Sequence, residues 1–83
     1  MNNKEFDELV KALLSIEDKK SMQNFLFGLL TKKELEDLPN RLQIIKMLKE
    51  GIPQREIAKK LGVGIATVTR GSKEIDRGTF KNV

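Results

Sequence analysis

Gln54-Arg55-Glu56-Ile57-Ala58-Lys59-Lys60-Leu61-Gly62-Val63-Gly64-Ile65-Ala66-Thr67-Val68-Thr69-Arg70 is the stretch on which the fold turns. Two helices that cross steeply need a small side chain where their backbones meet, and Ala58 supplies it. Four positions later the tight connection requires a residue that tolerates positive φ, and Gly62 stands there. Ile57, Leu61, Val63 and Val68 are spaced to fill the small core between the two helices. Pro53 pre-sets the φ of a helix start. The spacing therefore predicts a helix over Gln54–Leu61, a turn at Gly62-Val63-Gly64, and a second helix from Ile65 to about Asp76. This is the pattern of a helix-turn-helix. Its plain alternative is an ordinary helical hairpin with a glycine turn, and charge separates the two.

Net charge is +4, and all of it lies in the last third. Residues 51–83 carry seven basic groups (Arg55, Lys59, Lys60, Arg70, Lys73, Arg77, Lys81) against three acidic ones. Residues 1–30 are net −1 and residues 31–50 net +1. A polyanion would find its partner beside the helix-turn-helix. In a DNA-binding unit the N-terminal residues of the second helix meet base edges in the major groove. That assigns Ile65, Ala66 and Thr67 to the groove floor, with Thr69 facing DNA or its backbone. Ile65 and Ala66 suit thymine methyl groups better than bulk water. Gln54 and Arg55, opening the first helix, are placed for phosphates.

Working outward, Phe6, Leu9, Val10, Leu13 and Leu14 recur at helical spacing and predict an amphipathic helix from about Asn3 to Ile16. Asp18 can cap a second helix with Met22, Phe25, Leu26, Leu29 and Leu30 on one face. Thr31-Lys32-Lys33-Glu34 has the form of a capping box and opens a third. Pro39 either kinks that helix or starts a new one. The apolar pattern runs on through Leu42, Ile45 and Leu48 and stops at Gly51, a natural C′ residue. Leu35, Leu38, Leu42, Ile44, Ile45, Met47 and Leu48 wrap more than one side of the helix. Apolar surface on that scale, in a chain of 83 residues, points to a homodimer with a shared core. The tail, residues 77–83, is too short and polar to add a helix.

The second helix should carry a large apolar residue one turn beyond Val68, yet Gly71 stands there. A glycine inside a helix costs about 1 kcal/mol relative to alanine. It is either a simple kink or a vacancy, and Arg41 and Arg70 lie close by in this layout. A gap between two guanidinium groups suits a flat, anionic guest.

Composition closes other routes. Cysteine and histidine are absent, which removes disulfides, thiolate metal sites and the commonest general base. No paired carboxylates, phosphate loop or activated nucleophile can be assembled, so the chain is not expected to be an enzyme, and no metal or cofactor is expected. No apolar run is long enough to cross a bilayer, and the start does not resemble a signal peptide. A cytoplasmic protein without a membrane partner is expected.

Leu30-Thr31, Asn40-Arg41-Leu42, Gln54-Arg55-Glu56 and above all the run Gly64–Ser72 resemble the tryptophan repressor family. The resemblance covers about Leu30 to Ile75. It implies an all-α, intertwined homodimer that binds double-stranded operator DNA when L-tryptophan, as corepressor, occupies a pocket beside the reading helix. By that resemblance the indole would lie between Arg41 and Arg70, and Arg70 and Thr31 would hold the carboxylate. Main-chain carbonyls around Gly28 and Leu30 would receive the ammonium group, and Gly71 would make room. DNA contacts would fall on Arg55, Ile65, Ala66, Thr67 and Thr69. Two departures stand out: Glu74 replaces a family serine at the amino end of the ligand, and the connection from Gly51 to Gln54 is shorter and contains Pro53. The Glu74 carboxylate could grip an ammonium or exclude a carboxylate.

The whole predicts one domain: residues 1–50 as a helical dimerisation core, 51–76 as the DNA-reading head, and 77–83 as a tail. Two other readings fit the same residues. One is a DNA-binding regulator with a different effector or none. The other is a helical adaptor whose basic hairpin meets an acidic protein.

Overall fold

The computed structural model describes residues 2–83, and they form five helices with no strand among them. Helix α1 spans Asn3–Leu14, α2 Lys19–Leu29, α3 Lys32–Lys49, α4 Gln54–Leu61 and α5 Ile65–Asp76. The chain divides into two compact units, one ending at Leu35 and one of Glu36–Val83. The division falls inside α3, whose second half packs with the helix-turn-helix.

In the first unit every helix start is capped by a side chain. Asn2 Oδ1 accepts from the main-chain N–H of Lys4 at 2.9 Å. Asp18 Oδ2 accepts from Ser21 N–H at 2.9 Å, and this bond holds its carboxyl below the usual range. The capping box forms as spaced: Thr31 N–H donates to Glu34 Oε1 at 2.9 Å, and Glu34 N–H to Thr31 Oγ1 at 3.2 Å. Helix α1 stops sooner than expected, because the Ser15 hydroxyl turns back to the Ala12 carbonyl at 2.7 Å.

Helix α3 settles the Pro39 alternatives in favour of one helix, which continues through the proline for 18 residues. Pro39 has no N–H to offer the carbonyl four residues back. The helix ends at Gly51 (φ +85), with Ile52 N–H bonded to Met47 O and Gly51 N–H to Leu48 O. These two bonds make a Schellman motif, which needs positive φ at this position.

The second unit holds the core. Ile44 and Met47 of α3 meet Ile57 of α4 and Val68 of α5, with Leu48, Ile52, Ala58, Leu61 and Val63 packed around them. The expected helix-turn-helix core is present, and α3 supplies its third wall. Gly62 terminates α4 in the left-handed region (φ +67), as the turn demands.

Candidate nucleic-acid interface and adjoining cavity

The reading helix α5 begins at Gly64, in extended backbone, with Ile65, Ala66 and Thr67 all exposed on its first turn. Arg55, on the first turn of α4, is exposed as well. Ile65 retains 48 % of its surface. Gln54 and Thr69 are bonded to each other. The Thr69 hydroxyl donates to Gln54 Oε1 at 2.7 Å, and the Ile65 carbonyl oxygen lies 3.0 Å away. Both residues are half-buried, and their bond ties α4 to α5 across the turn.

A cationic stripe extends the face that begins at Ala66. Arg70, Lys73 and Arg77 follow at steps of four, three and four residues, so all project from one side of the helix. Lys73 and Arg77 were not singled out by sequence, although helical spacing from Ala66 would have found them. Glu74 offsets Arg77, whose guanidinium lies 2.6 Å from its carboxylate.

On another side of α5 lies a cavity of about 430 Å³, lined by Arg41, Thr67, Arg70, Gly71, Glu74 and Phe80 together with Leu38, Leu42, Ile44 and Ile45 of α3. That volume falls in the usual range for small-molecule sites. The arginines expected to flank a ligand, Arg41 and Arg70, thus stand on the walls of one cavity. Thr67 serves both faces, since it is exposed on the reading turn and lines the cavity.

Gly71 requires a correction. It borders the cavity but leaves no vacancy of its own. A Cβ placed there would stand 3.2 Å from Ile44 Cγ2, 3.2 Å from Ile45 Cδ1 and 3.5 Å from Leu48 Cδ1. The glycine is there because α3 and α5 approach closely. Helix α5 runs through it from Ile65 to Asp76.

Glu74 neither faces the cavity freely nor stands unpartnered. Its Oε1 accepts from Arg77 at 2.6 Å and its Oε2 from the Thr79 hydroxyl at 3.0 Å. Its carboxylate secures the tail, an outcome absent from both roles considered for it. Gly28, Leu30 and Thr31 belong to the first unit. Leu30 closes α2 through its N–H to Leu26 O, and a Cβ on Gly28 would meet open space. The Thr31 hydroxyl oxygen accepts in the capping box, and its proton is not used there. Phe80, absent from the sequence reading of the site, is an aromatic residue in a polar tail. That isolation is the signal that could have found it.

An exposed first turn of α5, a basic stripe, Ala58 packed at the crossing and the left-handed turn at Gly62 define a helix-turn-helix of the DNA-binding class. The comparisons with known proteins agree. The family model described as Trp repressor protein matches residues 4–81. The Trp operon repressor homolog of Vibrio campbellii is 40 % identical over 73 residues, covering 87 % of this chain and 73 % of that protein. The Trp operon repressor homolog of Xylella fastidiosa is 36 % identical over 78 residues, covering 93 % and 85 %. The uncharacterized protein YerC of Bacillus subtilis is 31 % identical, covering 94 % and 75 %. No solved structure matches. The chain belongs to the Trp repressor protein family, a family of transcription regulators and not of enzymes. Among the described residues no helix is long and apolar enough to cross a membrane.

Proposed function

We propose that this protein is a homodimeric transcriptional repressor of the cytoplasm, which reads operator DNA through α5 and takes L-tryptophan as its corepressor. The observation that carries the reading is the shared wall. Arg41 and Arg70 line one cavity, and Thr67 joins that cavity to the reading turn. A flat aromatic ring gains from guanidinium groups over its faces, and a carboxylate from their charge. An occupant there touches the helix that enters the groove, so its binding energy can favour the DNA-competent setting of the reading head. Ile65, Ala66 and Thr67 supply base-edge contacts, and Arg55 with the Arg70–Lys73 stripe supplies phosphate contacts. Gln54 and Thr69 act from behind, by fixing the crossing of α4 and α5.

The experiment is a titration with L-tryptophan, followed by binding to operator-length duplex DNA with and without the amino acid. The chain has neither Trp nor Tyr, so the ligand's own fluorescence reports binding against a dark background. Saturable binding that disappears in Arg70→Ala, and that tightens DNA binding, is the expected result. Thr67→Ala should weaken DNA binding with the oligomer intact, and Arg55→Ala should lower the slope of affinity against salt by about 1. Absence of L-tryptophan binding up to millimolar ligand, with DNA binding retained, would leave a regulator with another effector or none. Insensitivity of binding to salt would favour the protein-adaptor reading instead.

A further inference from the structure

The turns that follow α5 do more than finish the chain. Gly78 (φ +82) donates to Ile75 O and Thr79 N–H to Glu74 O, so the backbone reverses at once and brings residue 80 back toward α3. Two side chains fix the reversal. The Glu74 carboxylate takes Arg77 and Thr79, and Lys49 Nζ, at the end of α3, donates to the main-chain oxygens of Phe80 and, at 2.9 Å, Val83. Phe80 is half-buried although its neighbours in the sequence, Arg77, Thr79, Lys81 and Asn82, are all polar. Among the described residues Phe80 is the one aromatic residue that lines the cavity, together with Leu38 and Leu42, which each keep more than 40 % of their surface exposed. Lys49 is not among the residues that line the cavity.

We propose that the turns of residues 77–83 form a working wall of the effector cavity, with Phe80 setting affinity for a flat aromatic acid and Lys49 positioning Phe80. The proposal rests on the reading of that cavity as an effector site. An edge or offset face of the Phe80 ring would pack against the guest ring, while Arg41 and Arg70 take its charge. Release of the Lys49 contacts would free the tail and open the apolar side to water.

The test uses the whole chain. Phe80→Trp gives the protein a single indole at the position in question. Its emission should be that of a shielded indole, should move to that of a solvated one when Lys49→Met is added, and should stay shielded with Lys49→Arg. In a separate titration with L-tryptophan, Phe80→Ala and Lys49→Met should each weaken binding by about tenfold, and Lys49→Arg should retain it, with helix content and thermal midpoint unchanged. Solvated emission from Trp at position 80 in the single variant overturns the proposal, as does unchanged affinity in both Phe80→Ala and Lys49→Met. If the unsubstituted chain binds no L-tryptophan, the corepressor reading fails by itself. The wall is then judged with anilinonaphthalene sulfonate, an aromatic acid. Dye binding weakened by both substitutions supports the wall, and no dye binding or equal affinity overturns it.

Discussion

Gly71 shows how much a single hydrogen in place of a side chain can decide. The α3 side chains Ile44 and Ile45 stand where its Cβ would go, so the residue is matched to a helix–helix contact. Gly71→Ala sets two effects against each other. Helix propensity gains about 1 kcal/mol, and crowding at 3.2 Å takes a similar amount back. Gly71→Leu has no such balance and should destabilise the protein by about 1–3 kcal/mol, measured by urea denaturation. A leucine variant as stable as the parent would mean that α3 and α5 do not meet here. The Thr69–Gln54 bond belongs to the same scale. Both residues read as DNA contacts from the sequence, and their mutual bond shows only in the structure.

At the scale of elements, the helix boundaries rest on local chemistry. The capping box at Thr31 and Glu34 formed as its spacing required, since all its partners lie within four residues. The bond from Thr31 N–H holds the Glu34 carboxyl below its ordinary range. Its stabilising effect is therefore complete above the ordinary carboxyl pKa and is lost as pH falls through the lowered one. Glu34→Gln keeps an acceptor for Thr31 N–H but removes the charge near the α3 N-terminus. The stability gap between parent and Glu34→Gln should narrow as pH drops into that window, followed by urea midpoints at neutral and acid pH. A gap independent of pH would show that the carboxylate charge contributes nothing. Thr31→Ala should cost roughly 1 kcal/mol at neutral pH. Pro39 marks the limit of such reasoning, because nothing local to it decides whether a helix bends, breaks or continues.

At the scale of the whole molecule, the two units differ in how far they bury their apolar residues. None of the described residues up to Leu35 is buried, whereas the second unit encloses Ile44, Met47, Ile57 and Val68. Phe6, Leu14, Phe27 and Leu29 each leave more than half of their surface exposed, and Leu38 and Leu42 more than 40 %. Apolar exposure on that scale is costly for an isolated chain, and the proposed homodimer would relieve it. A homodimer predicts that the thermal midpoint rises with protein concentration across about a hundredfold range. A midpoint that stays constant, with sedimentation as a monomer, would rule the shared core out.

Helix positions, the glycine turns and the basic excess of the last third were determined by the sequence alone. Each depends on neighbours a few residues apart: Ala58 with Gly62, Thr31 with Glu34, Met47 with Ile52. The expectation that Arg41 and Arg70 share a site also came from sequence, chiefly through the family resemblance of the Gly64–Ser72 run. The tertiary structure decided the rest. It closed the space at Gly71 with Ile44 and Ile45, turned Thr69 onto Gln54, gave Glu74 to Arg77 and Thr79, and brought Phe80 to the cavity through Lys49. These contacts join residues distant in the chain or chosen among several eligible partners. Periodicity records which face a residue occupies, but the partner it meets there is fixed only when the helices pack.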